Sequence, residues 1–120
     1  MSKSSFSSNG SDENLLLGFS SEEMSRLLWI SVFKANLTLM VFLLRRGANP
    51  NVVSFTGFTP LGYVAKEGNF DFVRILLEHG AELDLCDDFE MSPWDYVLEK
   101  YLETHERKIY NLFHEWNRGK

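Results

Sequence analysis

A chain of 120 residues with 44% apolar and 24% charged content has the length of one domain and the composition of a folded one. Its formal net charge of −5 argues against nucleic acid as a partner, because neutralising a phosphate backbone takes clustered Lys and Arg, and here the basic residues stand no more than two together, as at Arg45-Arg46. The single cysteine, Cys86, excludes an internal disulfide, and neither a long apolar run nor a basic-then-apolar leader is present, so no membrane partner is expected and the expected location is cytoplasmic, or a host cytosol after export without a cleaved signal.

The first stretch, MSKSSFSSNGSDEN, is rich in Ser, Asn, Asp and Gly and offers little apolar surface to offset the entropy of ordering it. Residues 1–14 are therefore expected to be a disordered tail, with a folded domain over 15–117. Next, SSEEMSRLLWISVFKAN predicts a helix: Ser20 or Ser21 can cap it, Glu22 and Glu23 suit its positive end, and Leu27, Leu28, Ile30 and Val32 supply apolar surface. LTLMVFLLRRG predicts a second helix that ends at Gly47, with Arg45 and Arg46 at its negative end. The pair then recurs. Thr59 is placed to cap TPLGYVAKEG, Pro60 takes the first position, where a missing N–H costs nothing, and Gly68 closes the helix. NFDFVRILLEHG carries an apolar stripe at Phe72, Val73, Ile75, Leu76 and Leu77 and ends at Gly80. A third pair opens at Ser92-Pro93, and its second helix is expected from about His105 to Trp116, with Ile109, Leu112, Phe113 and Trp116 at helical spacing.

The loops between pairs repeat as well. GANPNVVSFTGFTPLGY and GAELDLCDDFEMSPWDY align without a gap, Gly47 on Gly80, Ala48 on Ala81, Asn51 on Asp84, Pro60 on Pro93 and Tyr63 on Tyr96, each 33 residues apart. A fixed period of this size marks a stack in which each unit buries its apolar face on its neighbours.

The run of Gly57, Thr59, Pro60, Leu61, Ala65, Gly68, Val73, Leu76, Leu77, Gly80, Ala81 and Asp84 resembles the ankyrin repeat, G-x-T-P-L-H-x-A-A-x-x-G-x-x-x-x-V-x-x-L-L-x-x-G-A-D-x-N. The resemblance implies an all-α solenoid of about three helix pairs joined by β-turn finger loops, with repeats over about 21–53, 54–86 and 87–117. It also implies departures. Gly62 stands where the family has His, Arg26-Leu27-Leu28-Trp29 replaces the T-P-L-H segment in the first unit, and Ser92-Pro93-Trp94-Asp95 replaces it in the third. The third unit needs about three extra residues between its helices. Irregular terminal units are read as caps, since one face of each meets water.

No catalytic or metal-binding constellation stands out, and no cofactor is expected. His79, His105 and His114 are not spaced as a metal pair, and Cys86 lies beside Asp87 and Asp88, which disfavour a thiolate. Asp84, Asp87, Asp88 and Glu90 lack the spacing and turn glycine of a calcium loop and fall where the family carries turn-forming residues. In the family's geometry the finger loops hold Val53, Phe55, Thr56 and Phe58, then Cys86, Asp88, Phe89 and Met91, while Ile30, Phe33, Tyr63, Lys66, Tyr96 and Glu99 fall on the concave palm. Of these, Phe55, Phe58, Tyr63, Lys66, Asp88, Phe89, Met91 and Tyr96 are the expected protein-binding residues, because large apolar side chains rimmed by charge are what interface anchors look like. Phe58 and Phe89 are expected outside the core, Trp94 inside it, and Ile30 or Phe33 within reach of Leu15, Leu16 and Leu17. The expected function is non-enzymatic: an adaptor or inhibitor, monomeric when free, that binds another protein through finger loops and concave face. The alternative is a small acidic enzyme or small-molecule binder using the aromatic cleft.

Overall fold

The computed structural model describes residues 18–54 and 56–118, and these form three helix pairs without a strand. The pairs are α1 (Ser21–Phe33) with α2 (Leu37–Arg45), α3 (Pro60–Glu67) with α4 (Phe70–Glu78), and α5 (Pro93–Thr104) with α6 (Lys108–Arg118). The Ser-rich tail and the three leucines at 15–17 lie outside the described residues, as does Phe55.

The first helix of every pair starts on a hydroxyl. Ser20 Oγ accepts from the Glu23 N–H at 3.1 Å while Glu23 returns a carboxylate to the Ser20 N–H at 2.8 Å, and Ser92 and Asp95 repeat this reciprocal cap. Thr59 Oγ1 accepts from the Gly62 N–H at 3.1 Å, and Pro60 and Pro93 occupy first positions where no N–H is needed. At the other end, Gly80 sits at φ +93°, and a Cβ there would meet nothing within 4 Å, so the backbone conformation alone excludes a side chain.

Packing follows the period. α3 packs on α1 and on α5, and α4 packs on α2 and on α6, so first helices make one layer and second helices the other. Leu28, Met40, Leu43, Leu61, Val73, Leu76, Leu77 and Phe113 are fully buried between them. On α4 the stripe lies as its spacing requires, with Phe72, Val73, Leu76 and Leu77 buried and Ile75 half-buried against them.

The loops between pairs fold as equivalent turns. In the first, the Ser54 N–H donates to the Phe58 carbonyl at 2.9 Å and the Gly57 N–H to the Ser54 carbonyl at 3.0 Å; in the second, Asp87 and Met91, then Glu90 and Asp87, make the same bonds at the same lengths. Glu90 holds at φ +63° the place that Gly57 holds at +80°. The two fingers are joined by the Asp88 N–H, which donates to the Thr56 carbonyl at 2.9 Å. Gly57 permits that approach, since a Cβ on it would stand 2.7 Å from Asp88 Oδ1 and 3.0 Å from the Asp88 nitrogen. Lower down, Asn51 bridges the loops, accepting from the Glu82 N–H at 2.8 Å and donating to the Gly80 carbonyl at 3.3 Å.

The third pair carries its extra residues in α5, 12 residues long where α3 has 8. His105 is the left-handed cap of α5, at φ +61°, and Thr104 Oγ1 accepts from the Glu106 N–H just beyond it. The last helix therefore begins at Lys108, three residues later than its apolar spacing suggests, because a left-handed residue cannot open a helix.

Two substitutions separate backbone from packing. Gly80→Val is expected to cost about 1 kcal/mol or more through its positive φ, whereas Leu76→Ala is expected to cost about 2–5 kcal/mol through the cavity it leaves. Paired thermal melts read both, and an unchanged melting temperature for either would contradict the assigned role.

Candidate recognition surface

A connected row of rings crosses the first-helix layer. Trp29 and Phe33, one turn apart on α1, lie 5.2 Å from ring centre to ring centre, and Phe33 meets Tyr63 of α3 edge-on at 5.2 Å. Tyr63 meets Phe58 of the finger at 6.3 Å, and Phe58 stacks on Tyr96 of α5 at 5.7 Å and touches Phe89 of the next finger at 6.3 Å. All are within the range of favourable aromatic pairs. Of these rings only Phe33, at 59% exposure, and Phe89, at 65%, face water strongly.

Phe89 is held outward by a clamp beneath it. Asp87 is buried, its Oδ1 accepts from the Phe89 N–H at 2.8 Å and the Met91 N–H at 3.0 Å, and its Oδ2 takes the hydroxyl of Tyr96. Three donors thus satisfy a carboxylate that would otherwise be costly to bury. Burial first, and then the bond to the Asp87 carboxylate, push the Tyr96 phenol above its ordinary range, since ionising it would put two negative charges side by side out of water.

At the opposite end, α1 and the first finger enclose an open groove of about 810 Å³. Trp29, Ile30 and Phe33 line it from the helix, and Val52 and Val53 from the loop. Trp29 Nε1 is buried there and has no hydrogen-bond partner among the described residues.

Comparison with known proteins bears on this layout. The family pattern described as ankyrin repeats, in three copies, matches residues 27–106. The chain belongs to the ankyrin-repeat family. It is 35% identical over 77 residues to an ADP-ribosylation factor GTPase-activating protein of Arabidopsis thaliana, covering 64% of this chain and 9% of that one. It is 32% identical over 79 residues to an ankyrin repeat-containing protein of Caenorhabditis elegans, covering 66% of this chain and 7% of the other. To the ankyrin repeat and MYND domain-containing protein 1 of Homo sapiens it is 50% identical over 50 residues, 42% of this chain and 5% of that one. The chain thus spans less than a tenth of the length of each of these relatives.

Within the ankyrin fold, the expected contact residues separate into three groups. Phe89, Asp88 and Lys66 are exposed; Phe58, Tyr63 and Met91 are half-buried and pack against the core; Tyr96 is buried, at 6% exposure. Phe55 lies outside the described residues. The placing of Phe58 outside the core is corrected by the structure, because its ring fills the junction between α3, α5 and both fingers. Tyr96 likewise serves inward, spending its hydroxyl on Asp87. Trp94 is half-buried, as expected of a core-side ring, and meets Phe113 edge-on at 5.3 Å. His79 is half-buried, its Nδ1 donating to the Ile75 carbonyl at 3.0 Å. Gly62 is buried where the family has His, and a Cβ on it would stand 3.8 Å from the Pro93 ring of the next repeat, so the proline occupies the space beside it. Among the described residues no group of three or more His, Cys, Asp and Glu is arranged to hold a metal ion. The Asp87 to Tyr96 clamp was not visible in the sequence; the signal available was an Asp beside a finger turn with a Tyr nine residues on, and nothing in that spacing says the two meet.

Tyr96→Phe leaves Asp87 Oδ2 buried without its donor and is expected to cost about 1–3 kcal/mol. The folded phenol holds its proton above the ordinary value of about 10, so the stability it contributes is complete below that pH and is lost as the pH climbs beyond it, when unfolded tyrosine ionises. Denaturant titrations across pH 8–11 should show this alkaline decline in the parent and a shallower one in Tyr96→Phe.

The two finger phenylalanines should part company. Phe58→Ala is expected to cost about 2 kcal/mol or more in stability, and Phe89→Ala less than about 1 kcal/mol; equal losses in melts of the two variants would contradict their different burial.

Proposed function

We propose that this chain recognises a target protein through the second finger and the adjoining first-helix face, acting as an adaptor or inhibitor and not as an enzyme. Ankyrin repeats are protein–protein interaction modules, and the fold supplies a shallow extended surface in place of a deep reaction cleft. The observation that carries the reading is Phe89: a phenylalanine 65% exposed, propped from below by the Asp87 clamp and backed by Phe58. Such a ring is already ordered before a partner arrives, so burying it on binding costs little conformational entropy. Asp88 and Lys66 supply charge at its rim, and Tyr63 and Met91 complete a half-buried apolar floor. The Tyr96 phenol, shifted as it is, is committed to Asp87 and offers no acid or base to a substrate.

The test is capture of the target from the native source, its identification by mass spectrometry, and titration of purified target against parent, Phe89→Ala and Leu102→Ala. Phe89→Ala should weaken binding by about 2–4 kcal/mol with the fold intact, while Leu102→Ala, exposed on the far part of α5, should not. Full affinity in Phe89→Ala would overturn the assigned surface.

A further inference from the structure

We propose that the partner segment met by Phe89 is cationic: an apolar side chain of the target packs on the exposed ring while flanking Lys or Arg residues meet Asp88, Glu90, Asp95 and Glu99. This rests on the reading of Phe89 as an anchor and adds the chemistry of what it binds.

Charge is divided unevenly along the chain. Residues 82–103 hold eight carboxylates and one Lys, a local net charge of −7 in a chain whose total is −5, so the rest of the sequence is net positive. This acidity does not belong to the repeat itself. One period of 33 residues earlier, Gly57 stands in the place of Glu90, Gly62 in that of Asp95 and Lys66 in that of Glu99.

The fold gathers these side chains about one apolar ring. Asp88 and Glu90 flank Phe89 in the second finger, Asp95 and Glu99 lie one turn apart on α5, and all four are exposed. Burial and the Asp87 carboxylate push the Tyr96 phenol upward, and the charges of Glu99 and Asp95 add to that push, so both act on the ring row in which Phe89 sits.

Little of this charge is spent inside the protein. Among the described residues none of the four makes an ion pair, and Asp95 spends only Oδ2, on the cap at Ser92. Lys66 makes no ion pair with Glu99, and Lys100 reaches Gly68, at the opposite end of α3 from the finger. Glu90 sits at φ +63°, a conformation that glycine adopts at less cost, so no demand of the turn accounts for a Glu there.

The layout also says which kind of cation fits. Among the described residues no group of three or more His, Cys, Asp and Glu is arranged to hold a metal ion, so the carboxylates are strung along a finger and a helix turn instead of converging on a point. Cations spaced along a chain match that arrangement, and the Phe89 ring calls for an apolar side chain that a small polycation lacks.

Two acetylated and amidated peptides serve as probes: Lys-Lys-Ala-Leu-Ala-Lys-Lys, and the same peptide with Gln for every Lys. Amide shifts of the isotope-labelled full chain are followed in titrations at low and at high salt. The Lys peptide should move the amides of Asp88, Phe89, Glu90 and Glu99 and bind at least about tenfold more tightly than the Gln peptide, an advantage that salt removes. In E90Q/E99Q the advantage should fall about fivefold; in D71N/E115Q, which takes two charges from the second-helix layer, it should stay. Equal binding of the two peptides, an undiminished advantage in E90Q/E99Q, or no binding of the Lys peptide up to about 5 mM would each overturn the inference. Phe89→Ala separates it from the reading beneath it, since that variant should weaken both peptides alike and leave their ratio. If Phe89→Ala binds both as the parent does, Phe89 fails as the anchor and the acidic assignment stands; if Phe89→Ala is harmful but E90Q/E99Q changes nothing, this inference alone fails.

Discussion

A helix pair of about twenty residues has more apolar surface than it can cover by folding on itself, and the structure rests on the solution to that problem: each pair is the other wall of its neighbour's core. Leu61 and Val64 on α3, and Val73, Leu76 and Leu77 on α4, are buried because pairs stand on both sides of them. The central repeat is accordingly the regular one, and the irregular residues collect at the ends, where one wall is missing. The long α5, with Leu98 and Leu102 exposed, is one such end, and the open groove along α1 is the other.

Stacking of pairs brings the connecting loops close enough to bond, and polar side chains then decide how they stand. Asn51 ties the bases of two loops, the Asp88 N–H ties their fingers, and Asp87 braces the second finger from inside. Each of these spends the polar groups named on bonds within the chain. What is left facing outward on the second finger is Phe89, an apolar ring on a polar bracket. On the proposed reading, rigidity at that point is of functional value, because an anchor that does not need to be ordered on binding returns more of its contact energy as affinity.

The aromatic row adds a second layer of coupling. Phe58 touches Tyr63, Phe89 and Tyr96 together, so the finger that carries Phe89 is packed against the helix layer behind it. Substitutions at Phe58 or Tyr96 therefore act on the proposed recognition surface through its support, whereas a substitution at Phe89 acts on that surface itself.

Period, caps and helix ends were legible in the sequence because they are local. Ser20, Thr59 and Ser92 cap the helices they precede, and Gly80 takes the left-handed conformation its position demands, since these depend only on residues a few places away. The buried stripe of α4 was legible for the same reason, as helical spacing puts Phe72, Val73, Leu76 and Leu77 on one side whatever packs there. Tertiary structure alone decided which rings are exposed and which pack on the core. Phe58 and Phe89 both sit in finger turns, yet one is wedged between α3 and α5 while the other is turned to water, because neighbouring units rather than neighbouring residues determine the space each ring meets. Tyr96 and Asp87 show the same limit: a tyrosine at a palm position and an aspartate at a turn position each have an ordinary local reading, and only the approach of α5 to its own finger makes them a buried pair.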